Sequence, residues 1–178
     1  MNHRVPSILC LAVACASAPD GLDEPAAVES VGVMTVDVGG LDVEVWYPAS
    51  VAADAPTEEV AFEDALSASI LDRLGNPELA RIPTPAVRDA AVRGGPHPAI
   101  VFSHGFGGTR QQSVTLTTHL AAEGFVVLAT DHRGRSLMDF VPCVFTDPAE
   151  DGCDLSFDDP APPDLTAIAD WLDDGADG

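Results

Sequence analysis

Hydrophobic and polar positions first fall into a repeating order between Val31 and Tyr47. Val31 to Val38 and Leu41 to Tyr47 each read as a strand, and Gly39-Gly40 between them reads as the turn of a hairpin. In the second run Leu41, Val43 and Val45 share one face while Asp42 and Glu44 share the other. The spacing therefore predicts one solvated face, with Pro48 ending the pairing. Phe62, Leu66, Ile70 and Leu74 recur every four residues ahead of Gly75, the signature of a helix closed by a glycine C-cap. Arg81 to Pro98 contains four prolines and Gly94-Gly95 and reads as a loop.

A different pattern begins at Ala99. Ala99 to Ser103 is a short apolar run that enters the tight turn His104-Gly105-Phe106-Gly107-Gly108. Arg110 to Glu123 carries Val114, Leu116, Leu120 and Ala121 at helical spacing and stops at Gly124, and Phe125 to Ala129 is a second apolar run with little alternation. The three together predict a β-α-β unit with its strands parallel, and ligands of such sheets gather beyond the carboxyl ends of the strands. His104 to Gly108 and Asp131 to Gly134 both lie at such ends. From Leu137 to Pro163 the chain reads as an acidic, proline-containing loop. Leu165, Ile168, Ala169 and Leu172 then mark one face of a helix that Asp164 would cap.

Composition narrows the functional classes. A chain of 178 residues, 46% hydrophobic and 21% charged, has the make-up of one globular domain. A formal net charge of -21 argues against nucleic acid and anionic lipid as partners, because so few Lys and Arg cannot displace counterions from a phosphate backbone. Arg4, the apolar stretch Val5 to Cys15 and the small residues Ala16-Ser17-Ala18 read as an export signal over 1–18, too short to span a bilayer. Residues 19–30 form a linker and 31–178 the domain. A second reading of the leader places a lipid anchor at Cys15. Either way the expected location is exported: periplasmic, outer-membrane lipoprotein or extracellular. Cys10 and Cys15 lie in the leader, which makes Cys143 and Cys153 the disulfide candidate of the mature chain. No other segment is apolar enough to be a transmembrane candidate.

Ester hydrolysis needs amide donors aimed at the oxygen that becomes negative in the tetrahedral intermediate, and glycine-rich turns let the backbone supply them. His104 to Gly108 has that composition. The surrounding blocks, in order, are Val31 to Thr35, Val43 to Ala49, Pro98 to Gly108, Leu120 to Val127, Asp131 to Gly134 and Asp164 to Leu172. Together they resemble bacterial platelet-activating-factor acetylhydrolase-like and dienelactone-hydrolase-like proteins. The resemblance implies an α/β-hydrolase fold, partial here: an N-terminal hairpin plus a β-α-β unit of a mixed, mostly parallel sheet. It also implies a serine esterase acting on a short-acyl lipid or other small ester, with no cofactor and no metal. By the same resemblance the Phe106 backbone N–H is the oxyanion donor, and His104 and Gly105 form the supporting turn.

The family pattern continues with a Gly-x-Ser-x-Gly elbow and then a catalytic Asp and His. These 178 residues hold no such elbow. Gly134-Arg135-Ser136-Leu137-Met138 lacks the closing glycine and follows the wrong strand, so Ser136 reads as a loop serine. His97, His119 and His132 then have no nucleophile to serve and read as surface or structural residues. The sequence thus leads to an oxyanion-hole-bearing portion of an esterase, inactive alone and prone to aggregate or associate through an exposed strand. Two other classes fit parts of the pattern. Gly105-x-Gly107 and Asp131 imitate a dinucleotide-binding unit, with Arg110 at the third glycine position. Asp147, Asp151, Gly152 and Asp158 have partial calcium-loop spacing.

Overall fold

The computed structural model describes residues 30–61, 71–72, 75, 81–145 and 163–174. Strands β1 (Val31–Val38) and β2 (Leu41–Ser50) pair antiparallel in the register Val36 to Val43 and Val31 to Pro48. Gly39 and Gly40 make the reversal at φ of +62° and +81°, a region that side chains with a Cβ rarely enter. β2 does not end at Pro48. Its Val31 partner sits at a position where the proline nitrogen faces away from β1, so no ladder bond is lost, and its carbonyl accepts from the Arg93 N–H at 2.9 Å.

β7 (Ala99–Phe102) and β8 (Val126–Thr130) run parallel, with Ala99 opposite Val126 and Phe102 opposite Ala129. The connecting helix α1 spans Val114–Ala122. It starts four residues later than its apolar pattern suggests, because residues 110–113 form the turn that enters it. Its core face is Val114, Thr117, Thr118 and Ala121, while Leu116 stays exposed. Gly124 at φ +100° and the Phe125 N–H bond to the Leu120 carbonyl close it. β8 pairs antiparallel with β2, Val45 opposite Leu128.

The prolines of residues 81–98 do not keep that segment free of structure. Short strands β4 (Arg81–Pro83), β5 (Ala86–Arg88) and β6 (Ala91–Val92) form there, and β3 (Glu59–Ala61) pairs with β4. β5 adds to β1 in parallel, giving the strand order β5-β1-β2-β8-β7, with β6 on the end of β2. Pairing at an edge tolerates prolines that a central strand would not. The structure is thus a mixed sheet with helices on both faces, the layering of a partial α/β-hydrolase fold.

Both faces of β2 are covered, against the alternation read from its sequence. Val43, Val45 and Tyr47 pack with Leu128 and with Ile168 of helix α3 (Pro163–Asp173). Trp46 packs on the other side with Val127, Ala129 and α1 residues Val114 and Ala121. Glu44 lies on that second face and is only 1% exposed. In a three-layer fold the layer on that face covers Glu44, while Asp42 near the start of the strand stays exposed. α3 turns a slightly different face inward than its pattern predicts: Ala167, Ile168, Trp171 and Leu172 meet the sheet, and Ala169 is exposed.

The stretch after Leu137 also departs from expectation, since Leu137–Phe145 is a helix, α2. Ser136 starts it: its hydroxyl donates to Asp139 Oδ2 at 2.6 Å, and the Asp139 N–H reaches back to Ser136 Oγ at 3.3 Å. The second of these bonds satisfies a donor at the helix start, and the helix continues through its proline. Of the helix expected ahead of Gly75, Leu71 and Asp72 are helical and Gly75 takes φ +77°. The rest of that stretch, the leader with Cys15, and Cys153 lie outside the described residues. No described helix is long and apolar enough to cross a membrane.

Candidate active site

The carboxyl ends of β7 and β8 are side by side, and the turn after β7 is built from the inside outward. His104 is buried, and its ring fixes its own tautomer. Nε2 accepts the His132 backbone N–H at 3.0 Å, so the proton must be on Nδ1, which donates to the Gly105 carbonyl at 2.7 Å. The Gly107 N–H donates to the Arg135 carbonyl at 2.8 Å and the Gly108 N–H to the Gly105 carbonyl at 2.9 Å. Gly107 sits at φ +70°, where a Cβ is strained. Phe106 is 47% exposed, with its ring edge-on to Phe140 at 5.5 Å. The three residues expected to carry the oxyanion turn are therefore contiguous at the end of β7, with the His104 ring binding the turn to the end of β8.

His132 is 2% exposed and stands 4.6 Å, centroid to centroid, from the His104 ring. Its Nε2 lies 2.8 Å from Ser103 Oγ, and its Nδ1 lies 3.7 Å from Asp164 Oδ2. Sequence reasoning left His132 without a nucleophile; the fold supplies a hydroxyl. The reason is topological. Ser103 follows β7 directly and His132 closely follows β8, and a parallel pair in register brings residues that follow both strands to one place. A serine and a histidine at the two carboxyl ends of a β-α-β unit are the signal that would have revealed it. Asp164, expected to cap its helix, instead accepts the Arg133 backbone N–H at 3.1 Å and turns toward the imidazole.

Burial pushes the His132 pKa below the ordinary imidazole value, and a charge on His104 would add to that, against the pull of Asp164. The imidazole is thus biased to its neutral form. An unprotonated Nδ1 would set a lone pair against the Asp164 carboxylate, so the proton belongs on Nδ1 and Nε2 accepts from the Ser103 hydroxyl.

Beside this chain of groups lies an ionic cluster. Glu44 Oε1 accepts from Arg88 at 2.8 Å, and Arg110 Nε stands 3.5 Å from Glu44 Oε2. Arg110 also donates its backbone N–H and its Nη1 to the two Asp131 oxygens, each at 2.6 Å. A cleft of about 330 Å3 opens there, lined by Asp42, Arg110, Asp131, His132, Ser136 and Asp139 among others. The Arg110 clamp bears on the dinucleotide reading. Asp131 would have to offer its carboxylate to a ribose, yet both oxygens are engaged by the residue that replaces the third glycine.

The remaining candidates do not join the chain of groups around His132. Ser136 is buried as the helix start already described. His97 sits between the Gly124 and Arg93 carbonyls at 3.1 and 3.0 Å, and His119 is exposed on α1. Cys143 is disulfide-bonded. Asp147, Asp151, Gly152 and Asp158, the calcium-loop candidates, lie outside the described residues, and among those described no three His, Cys, Asp or Glu side chains gather into a metal set.

A mixed sheet whose parallel pair ends in a His-Gly turn is the arrangement of a partial α/β-hydrolase fold. The chain belongs to the family described as platelet-activating factor acetylhydrolase, isoform II, whose model matches residues 42–153. Among solved structures it is similar to a ferulic acid esterase from Streptomyces cinnamoneus, at 25% identity and a TM-score of 0.45. That similarity covers 64% of this chain and 36% of the esterase, so the chain spans about a third of that protein's length.

Proposed function

We propose that this chain is the oxyanion-turn-bearing part of an exported carboxylic ester hydrolase whose substrate is a short-acyl lipid or another small ester. The family match supports ester chemistry. The observation that carries the reading is the His104 ring, spanning the Gly105 carbonyl and the His132 N–H at 2.7 and 3.0 Å. A turn held this way is preorganised, which is what stabilising a developing alkoxide requires. In this reading the Phe106 N–H is the donor, with His104 and Gly105 supporting it. The disulfide-bonded state of Cys143 supports an oxidising compartment. The family's own catalytic cycle draws its nucleophile from an elbow motif that these residues lack, so that cycle is incomplete on them.

The test is a backbone amide NMR titration with methylphosphonate, an anion that imitates the tetrahedral oxyanion. The Phe106 amide should move first and furthest. A titration that leaves the amides of residues 104–108 in place overturns the reading, and perturbation by NAD at the same residues would favour the dinucleotide class instead. A calcium titration that perturbs the acidic stretch would favour the calcium class.

A further inference from the structure

Ser103, His132 and Asp164 form a hydroxyl, imidazole and carboxylate in line, a constellation separate from the elbow chemistry of the family. Ser103 is exposed while His132 and Asp164 are buried at 2% and 5% exposure. The serine thus stands at the surface, while the two groups its hydroxyl faces are shielded from water. The base is held by its own backbone, whose N–H is tied to His104 Nε2 at 3.0 Å, and the carboxylate by the Arg133 N–H at 3.1 Å. The Ser103 to His132 distance of 2.8 Å is within direct proton-transfer reach. The 3.7 Å gap from His132 Nδ1 to Asp164 is longer than a hydrogen bond, and Nδ1 has no other partner. Such gaps commonly tighten when a positive imidazolium forms beside the carboxylate.

We propose that Ser103 is a base-activated hydroxyl that accepts an acyl group from small activated esters, with His132 as the general base and Asp164 as its orienting group. Ser103 Oγ attacks the acyl carbon while its proton passes to His132 Nε2. The tetrahedral adduct then collapses, the bond from the acyl carbon to the leaving oxygen breaks, and that oxygen can take the proton back from Nε2. The products are an acyl-Ser103 ester and a free alcohol or phenol. The depressed basicity of His132 keeps its Nε2 unprotonated at neutral pH, as the first step needs.

A purely structural Ser103 bond, serving only to satisfy the buried imidazole, makes a different prediction. It would leave Ser103 no more reactive than any exposed serine, and Ser50 is such a serine in the same chain. The experiment exposes the 178-residue chain to p-nitrophenyl acetate, follows p-nitrophenolate release, and maps acetylated peptides by mass spectrometry. Ser103 should acetylate about 100-fold faster than Ser50, the usual scale of general-base assistance. If the acetyl group is then hydrolysed, release becomes continuous and Ser103→Ala abolishes it. His132→Gln should lower Ser103 acetylation by a similar factor, with folding checked by circular dichroism. Should that variant fail to fold, the pH profile of wild-type Ser103 acetylation replaces it. The profile should rise through one ionisation below about 6.5 and level off above it. The titratable groups facing this imidazole are His104 from the turn, Asp164 from α3 and Arg135 from the segment after β8. Acetylation of Ser103 no faster than Ser50, acetylation undiminished in folded His132→Gln, or a rate that climbs steadily with hydroxide overturns the proposal. Release that survives Ser103→Ala overturns it too, and would show a different nucleophile at work.

Discussion

Arg110 grips Asp131 twice, through its backbone N–H to one carboxylate oxygen and through Nη1 to the other, both at 2.6 Å. The second residue after the His-Gly turn is thereby fixed to the residue after β8. The same guanidinium leans toward Glu44 Oε2 at 3.5 Å, so a single side chain links the turn, the end of β8 and the buried centre of β2.

Removing that guanidinium should be costly. Arg110→Ala leaves Asp131 only the backbone N–H of its clamp and weakens the charge balance around Glu44, for an expected loss of about 3 kcal/mol. Asp131→Asn should cost less, because Glu44 keeps both of its arginines. Urea denaturation of the two variants checks the order, and an Arg110→Ala midpoint equal to wild type would contradict it.

Stability should depend on pH through His132. Its pKa is lowered in the fold, so below about 6.5 the unfolded chain takes a proton that the folded chain resists. The contribution is present above the unfolded value and is lost as pH falls toward the folded one. Wild type should therefore lose stability between neutral pH and about pH 5. The His132→Gln variant should lose less over the same range. Parallel stability curves for the two proteins would refute this.

The φ of +70° at Gly107 sets a conformational demand in the turn. Gly107→Ala should destabilise by about 1 kcal/mol from backbone strain alone. Gly108→Ala should cost more, because its Cβ would stand 2.9 Å from the Gly105 carbonyl oxygen and against the Gln112 side chain. Melting temperatures of the two variants test the ranking.

Ser136→Ala removes the hydroxyl that pairs with Asp139 at the start of α2. The expected cost is about 1 kcal/mol, concentrated in that helix. Faster amide hydrogen exchange within residues 137–141, with β8 unchanged, is the pattern to look for. Uniform acceleration throughout the sheet would instead mean that α2 and the core unfold together.

Legibility in the sequence followed the range of the interactions. The β1–β2 hairpin was readable because Gly39-Gly40 and the alternating residues around them act within one turn of chain. The same holds for the strand, turn, helix and strand between Ala99 and Thr130. Leu137–Phe145 was misread because Pro142 and the acidic residues beyond it outweighed a serine cap whose partner lies three residues on. Glu44 was misread because alternation reports which residues differ in polarity and is silent on whether a second layer covers the polar ones.

The sequence by itself determined the local elements, the glycine turn at the end of β7 and the family resemblance, since each rests on neighbouring residues and their periodicities. Only the tertiary structure decided that Glu44 is enclosed between two arginines and that Ser103 meets His132, 29 residues away. Such contacts are made when a parallel strand pair and a helix from further along the chain converge. No periodicity records which side chains will then share a site.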